Sequence, residues 1–210
     1  MSDIAHYFSP VDFDTTGLHE ESFGRNFLMH TQKGFPDLEG IDIVIVGVCE
    51  DRLALDNKGC ADAPNEVRKH LYKLFPVGFT PKVADLGNIM PGAAETDTLF
   101  ALAETIDHLL RQNITPVIIG GSHDLTYAQF RGYEKLEQTI NVVTVDSAFD
   151  IGSAEDELSN KTFLGKIILH QPNYLFNYSN IGYQTYLVPQ ASLAMMNKLY
   201  FDTYRLAQIS

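Results

Sequence analysis

The chain has 210 residues, of which 45% are apolar and 20% are charged, a balance that excludes wholesale disorder and supplies enough apolar surface for a sizeable core. Its 15 basic and 27 acidic residues give a net charge of −12, which argues against a nucleic-acid partner because such affinity depends on cationic contacts. No apolar run approaches the ~18 residues that span a bilayer, and the N-terminal residues lack the features of a signal peptide, so we expect no membrane partner.

Residues 1–40 are predicted to be an N-terminal extension that packs on the rest of the protein. They are polar, interrupted by glycine and proline, and partly helical near residues 20–31. From residue 41 the pattern changes to IDIVIVGV, a continuous β-branched run over residues 41–48. Such runs are typical of strands that are buried on both faces, and they therefore predict a parallel sheet.

Helices and strands alternate along the remainder of the chain. Residues 64–75 predict a helix that starts at Pro64 and turns Val67, Leu71 and Leu74 to one face. The further predicted elements are a strand at 82–87, a helix at 95–112, a strand at 116–121, a helix at 124–137, strands at 141–146 and 180–188, and a helix at 192–208. This alternation predicts a three-layer α/β/α sandwich with a mostly parallel sheet, in which residues 41–210 form one unit.

The two cysteines, Cys49 and Cys60, do not form a C-x-x-C pair. A zinc ribbon and a thioredoxin-type redox motif are therefore excluded. Free thiols in a cytoplasmic protein are the prediction that remains.

His123 follows the strand predicted at residues 116–121, where open α/β sheets bind their ligands. The paired glycines in VIIGGSHD allow a sharp turn out of the sheet, and Ser122 or Asp124 can serve the start of the next helix. His123 then projects at the sheet edge, either towards a ligand or into hydrogen bonds within a tight loop.

Asp146 and Asp150 occupy the equivalent position after the strand at residues 141–146. Carboxylates at a buried strand end are costly unless they are paired, hydrogen-bonded or bound to a cation. Together with His123 they offer oxygen and nitrogen ligands suited to manganese, iron or zinc. The alternative is that Asp146 caps a turn and that Asp150 is solvated.

Four stretches of this sequence, read together, resemble the ureohydrolase family, which comprises arginase, agmatinase and, most similar here, formimidoylglutamase. The resemblance covers residues 41–152 firmly and the rest loosely, with a weaker similarity in NIGYQ. The four stretches are NKGCADAPNEVRKHL, which has Gly59, Pro64, Val67 and Arg68 in place, VADLGNI, PVIIGGSHDLTYA and VVTVDSAFDIG.

The resemblance implies an arginase-like fold around a pair of manganese ions, which activate water to attack a guanidino or formimino carbon and release urea or formamide. His123 matches the family's first histidine ligand. Asp146 matches its bridging aspartate, and Asp150 matches the last aspartate of the same motif. The implied partner is a small amidine or guanidine substrate.

The sequence departs from the family in ways that imply a degenerate site. Ala148 stands where the family has a histidine ligand of the second metal. The later Asp-x-Asp pair is absent, since Asp156 and Asp202 are the only aspartates beyond Asp150. The loop after Asp150 lacks the histidine that many family members carry, and His170 is not assigned that role. We expect an N-terminal portion of the arginase-like fold with one weakly bound cation or none, no assignable catalytic residue and little activity.

Two other functions remain open. The first is a non-catalytic arginase-fold protein that binds a small molecule or assembles as a homo-oligomer. The second is a serine hydrolase, because residues 120–124 superficially resemble a G-x-S-x-G turn around Ser122. Asp124, however, occupies the last position of that turn, which requires glycine.

Overall fold

The computed structural model describes residues 4–78 and 80–209. Within them, no helix is long and apolar enough to cross a bilayer. The strands are β1 (Phe8–Ser9), β2 (Leu28–Met29), β3 (Ile43–Val48), β4 (Val83–Ile89), β5 (Thr115–Ile119), β6 (Ile140–Val145), β7 (Leu175–Tyr183) and β8 (Asp202–Arg205). The helices are α1 (Phe23–Asn26), α2 (Ala63–Leu71), α3 (Glu95–Leu110), α4 (Leu125–Glu134), α5 (Phe163–Leu169), α6 (Gln190–Lys198) and α7 (Leu206–Ile209).

The strands form two mostly parallel sheets flanked by helices, as the predicted α/β class requires. The first sheet has the order β1-β4-β3-β5, with β2 also paired to β4, and β1 is antiparallel to its neighbour. The second sheet has the order β6-β7-β8 and is parallel throughout. In the described part of the chain, β5 pairs only with β3 and β6 only with β7, so each of these strands ends its sheet.

Helix α4 connects the two hydrophobic cores. Its residues Leu125 and Ala128 belong to the core that β3, β4 and α3 build. Phe130, on the same helix, belongs to the core of the second sheet, which is filled mainly from α5 and β7. The α4 helix therefore fixes how the two sheets meet.

The start of α2 agrees with the prediction, but its buried face does not. Val67 and Leu74 are exposed, whereas Arg68 is buried with 1% of its surface accessible. The guanidinium donates to Asp85 from Nε at 2.8 Å and from Nη2 at 2.7 Å, and it reaches Asn88 from Nη1. The cationic side chain points inward because a buried carboxylate on β4 balances its charge.

The prediction of one helix over residues 192–208 is wrong. Helix α6 ends at Lys198, and Tyr200 adopts a left-handed backbone with φ 58° that interrupts helical hydrogen bonding. Residues 202–205 then pair with β7 as β8. The apolar side chains of residues 192–208 have helical spacing. After the turn at Tyr200, however, the backbone forms hydrogen bonds with the edge of β7 instead of continuing the helix.

Other element boundaries in the structure also differ from the predicted ones. The strand predicted at residues 180–188 is β7, which runs from Leu175 to Tyr183. The helical stretch expected near residues 20–31 contracts to the single turn α1, which is followed by β2. Helix α5 was not predicted, and it covers the second sheet next to the loop that carries Asp150.

Candidate metal centre

The loop that carries His123 is pressed against the end of β3. Gly121 lies so close to Glu50 that a Cβ there would fall 1.9 Å from the Glu50 carbonyl oxygen. The Ser122 amide donates to that same oxygen at 3.0 Å. Only glycine allows this close approach of the backbone. His123 follows two residues later, and its ring contacts the ring of Phe163.

The two aspartates come from the end of the second sheet. Asp146 directly follows β6, and its amide donates to the Ile181 carbonyl at 3.1 Å. Its Oδ1 accepts from the Ala148 amide at 3.2 Å, which leaves Oδ2 for another partner. Asp150 has a left-handed backbone with φ 47° and a side chain only 7% exposed. A carboxylate buried to that degree requires a compensating positive charge.

The structure brings all three predicted ligand residues together. His123 Nδ1 lies 3.4 Å from Asp146 Oδ2 and 3.2 Å from Asp150 Oδ2. One ligand atom from each residue falls within 4.8 Å of the others. Adjacent ligands placed about 2.1 Å from one ion would be about 3 Å apart, so this set of one nitrogen and two oxygens fits a single divalent cation.

Ala148 lies between the two aspartates of the cluster in sequence and next to an open cavity. Its methyl group carries no donor atom, and its carbonyl accepts from Asn180 Nδ2 at 3.0 Å. A cavity of about 440 Å³ opens on this side, lined in part by Ala148, Asp150 and Lys161. Ala148 therefore borders open space beside Asp150.

Sequence reasoning did not identify Lys161 as part of this region. Its Nζ lies 3.9 Å from Asp150 Oδ1 and 3.5 Å from Asp56 Oδ2. Asn160 donates to Asp56 at 2.9 Å, and this hydrogen bond is the main reason that the pKa of Asp56 lies below its ordinary value. The only signal in the sequence was a cationic residue in the loop that follows Asp150.

Ser122 is not placed to act as a nucleophile. The residue is buried, and its hydroxyl donates to Asp124 within its own loop. Burial is also the main cause of a raised pKa for Asp124. The serine hydrolase alternative therefore lacks an accessible hydroxyl.

His170 has a role in packing between helices. Its Nε2 lies 2.8 Å from Glu134 Oε2, and its Nδ1 lies 3.2 Å from the Tyr127 hydroxyl. Both partners belong to α4, so His170 ties the end of α5 to that helix and does not join the three-residue cluster.

The described residues thus form a mostly parallel α/β fold in which one histidine and two aspartates meet beyond the strand ends. The Arginase family profile matches residues 41–209. Because that match covers most of the sequence, the chain belongs to the arginase family.

Curated relatives of this chain include several formimidoylglutamases. The protein from Streptococcus gordonii is 27% identical over 133 residues, which cover 60% of this chain and 40% of that protein. The protein from Macrococcus caseolyticus is 31% identical over 131 residues, which cover 60% of this chain and 42% of that protein. The matched part thus spans less than half the length of these relatives.

Solved structures show the same fold at lower sequence identity. Trypanosoma cruzi formiminoglutamase, solved with Mn²⁺, aligns with a TM-score of 0.77 and 18% identity over 90% of this chain and 66% of that chain. Bacillus subtilis formimidoylglutamase aligns with a TM-score of 0.77 and 17% identity over 95% of this chain and 63% of that chain. At these identities the structural likeness establishes the fold alone.

Proposed function

We propose that this chain is a cation-binding relative of the formimidoylglutamases, with manganese held by His123, Asp146 and Asp150. The observation that carries the proposal is the convergence of these three side chains, within 4.8 Å, at the ends of strands from two sheets. The choice of manganese is supported by a structural neighbour that was solved with this ion. Imidazole and carboxylate ligands suit its chemistry.

The chemistry proposed for the family site is hydrolysis of a small linear amidine or guanidine. A divalent cation, when bound, supplies water activation and stabilises charge that develops at the attacked carbon. The residues of this chain that would hold the cation are His123, Asp146 and Asp150. The His123 side chain is 37% exposed, so a small molecule could reach the centre from solvent.

We propose further that the centre is degenerate and that this chain has little or no hydrolase activity. Ala148 cannot supply a ligand, and the three remaining ligands bind one ion more weakly than a complete set would. Mutation of residues that only orient metal ligands typically lowers metal affinity or activity by about 10–100-fold. The loss of a ligand itself is therefore expected to lower metal affinity by more than that. The substrate, if one is turned over, would be a small-molecule amidine.

A non-catalytic binding or assembly function is the second candidate. It is supported by β6, an edge strand whose Val143 and Val145 are exposed at 62% and 83%. An edge strand that also exposes apolar side chains on one face favours association with another chain, so we propose a homo-oligomer. A cytoplasmic location stays a prediction that rests on the two cysteines, which are both free.

The division of the chain also stays a proposal. Residues 1–40 would be an extension, and residues 41–210 the N-terminal part of an arginase-like domain. The family match, which begins at residue 41, supports this boundary. In the described part, β1 and β2 pair with β4, so the extension contributes strands to the first sheet. Residues 1–3 and 210 lie outside the described residues.

Metal binding tests the ligand assignment. Protein purified without chelator is titrated with Mn²⁺, and the EPR signal of free Mn²⁺ reports how much is bound. We expect binding that His123→Ala and Asp146→Ala abolish, whereas His70→Ala, which removes an exposed imidazole from α2, leaves it unchanged. Equal binding by all four proteins would refute the assignment.

Catalysis is tested separately. Release of formamide or urea is measured with N-formimino-glutamate, arginine and agmatine in the presence of Mn²⁺. We expect no turnover above the background of the His123→Ala variant. Clear turnover by the unmodified chain would show that the centre is not degenerate.

A further inference from the structure

Asp150 divides its two carboxylate oxygens between two different partners. Oδ2 faces His123 at 3.2 Å, on the side where the three candidate ligands meet. Oδ1 faces the Lys161 ammonium at 3.9 Å, on the side of Ala148 and its cavity. A carboxylate that is 7% exposed therefore has a cationic side chain on the side where a family ligand has been lost.

Lys161 belongs to a built part of the structure. The preceding residue, Asn160, is buried, accepts from the Leu55 amide at 3.0 Å and donates to Asp56 at 2.9 Å. Asp56 in turn lies 3.5 Å from the Lys161 ammonium. These contacts tie the loop after β3 to the loop after Asp150, and they hold the lysine between two carboxylates.

The local charges favour one divalent ion together with this ammonium. Asp146 and Asp150 supply two negative charges to a single divalent ion, and Asp56 supplies a third next to Lys161. Asp156 lies on the outer wall of the cavity, where it accepts from the Ser153 amide at 2.7 Å. A second divalent ion beside Asp150 would meet the repulsion of the ammonium and would find a methyl group in place of a ligand.

We propose that the Lys161 ammonium, which lies against the outer oxygen of Asp150, repels a second divalent cation and makes this a one-ion centre. The inference rests on the proposed function, because it takes the cation at His123, Asp146 and Asp150 as given. It assigns to Lys161 a positioning role, in which the ammonium neutralises the outer oxygen of Asp150 and limits the centre to one ion.

The test is a Mn²⁺ titration of the full chain at constant pH and salt. The unmodified protein is expected to bind one ion. Lys161→Met, which keeps an unbranched side chain one atom shorter but removes its charge, is expected to bind that ion roughly three- to tenfold more tightly, because a like charge near the ion is gone. Lys161→Arg keeps the charge and is expected to bind as the unmodified protein does.

Two further variants complete the design. Lys33→Met removes one charge from an exposed position and is expected to leave the affinity unchanged, which separates local repulsion from net charge. Ala148→His combined with Lys161→Met restores a ligand and removes the ammonium. This double variant is expected to bind Mn²⁺ more tightly than Ala148→His alone, which keeps the repelling ammonium.

The outcomes distinguish the two proposals. Equal or weaker Mn²⁺ binding by Lys161→Met, with circular dichroism showing a folded protein, overturns the role of Lys161 and leaves the proposed function intact. Two ions in the unmodified chain would also overturn it. An absence of binding that depends on His123 overturns both. Lys161 is half exposed, so Lys161→Gln provides a second charge-free variant if the methionine variant does not fold.

Discussion

Asp85, a buried residue of β4, accepts hydrogen bonds from side chains at the end of α2. Arg68 binds both of its carboxylate oxygens, and the Tyr72 hydroxyl donates to Oδ2 at 2.7 Å. Burial is the main cause of the raised pKa of Tyr72, so this hydroxyl stays a hydrogen-bond donor. The backbone of Gly47 passes so close that a Cβ would meet Asn88 Oδ1 at 2.0 Å. The network thus joins α2 to β3 and β4.

Arg68→Met is expected to lower the free energy of unfolding by about 3–5 kcal/mol, because it leaves the Asp85 carboxylate buried without its counter-ion. Urea denaturation followed by circular dichroism measures the change. Lys69→Met is the matched control, since the exposed ion pair between Lys69 and Glu66 contributes at most about 1 kcal/mol. Equal losses in the two variants would contradict the importance of the buried pair.

Glu50 predicts a pH dependence of stability. Burial raises the pKa of this carboxyl, but hydrogen bonds from Arg52 and Thr98 outweigh burial and bring the pKa below its ordinary value. A carboxyl whose pKa is lowered by folding stabilises the folded state at pH values above its ordinary pKa of about 4.3. This contribution is lost as the pH falls through the pKa of the folded state.

Glu50→Gln is therefore expected to be less stable than the unmodified protein at pH 6–8, with a difference that narrows as the pH falls below about 4.3. Urea denaturation across this pH range measures the difference. Glu21→Gln, at an exposed position, serves as the control and is expected to show no such pH dependence. A gap for Glu50→Gln that is constant with pH would refute the interpretation.

At the scale of elements, β6 has none of the features that usually protect an edge strand. Its six residues, Ile140–Val145, include no charged side chain and no proline. A groove of about 450 Å³ runs along it, lined from α4 by Phe130 and Tyr133. The strand is therefore the surface on which we expect association.

Replacing Val143 and Val145 together by lysine is expected to reduce self-association, because two ammonium groups on the edge oppose strand pairing. Light scattering coupled to size-exclusion chromatography measures the mass at several concentrations. Val77→Lys adds a charge at a fully exposed position elsewhere and is expected to keep the assembly unchanged. A strictly monomeric unmodified protein would contradict the proposed use of this edge.

The strongly patterned elements could be predicted from the sequence. A β-branched run specifies β3, and regular apolar spacing specifies α3, because both signals lie within a single element. The path of residues 199–205 could not be predicted, since β8 depends on the edge that β7 offers. The burial of Arg68 could not be predicted from the sequence either, because its partner Asp85 lies 17 residues further along the chain.

The candidate centre divides in the same way. His123, Asp146 and Asp150 could be proposed because each follows a strand, and the ends of parallel strands meet along one edge. Lys161 could not be placed, since its distance from Asp150 depends on how the loop of residues 151–162 folds back. Strand ends are predictable from local pattern, but the return path of a loop depends on tertiary contacts.

At the scale of the whole molecule, a ligand that binds only the folded state must stabilise it. Mn²⁺ at one hundred times its dissociation constant is expected to add about 2.7 kcal/mol. For a chain of this size that gain raises the melting temperature by roughly 5–10 °C. Differential scanning calorimetry of the unmodified protein and of His123→Ala, each with and without Mn²⁺, measures the shift. A similar shift in both proteins would show that Mn²⁺ binds elsewhere.

The origin of the three candidate ligands in separate sheets has a mechanical consequence. His123 extends from the first sheet, and Asp146 and Asp150 extend from the second, and in the described part of the chain no strand pairing joins the two sheets. A cation at this point would cross-link the two sheets. It would close the loop between residues 123 and 146 as a covalent cross-link does, and it would resist hinge motion about α4. Chelation would then loosen the connection between the two sheets, and the amide hydrogens of residues 121–124 and 146–150, next to the candidate ligands, would exchange faster while the interiors of both sheets kept their protection.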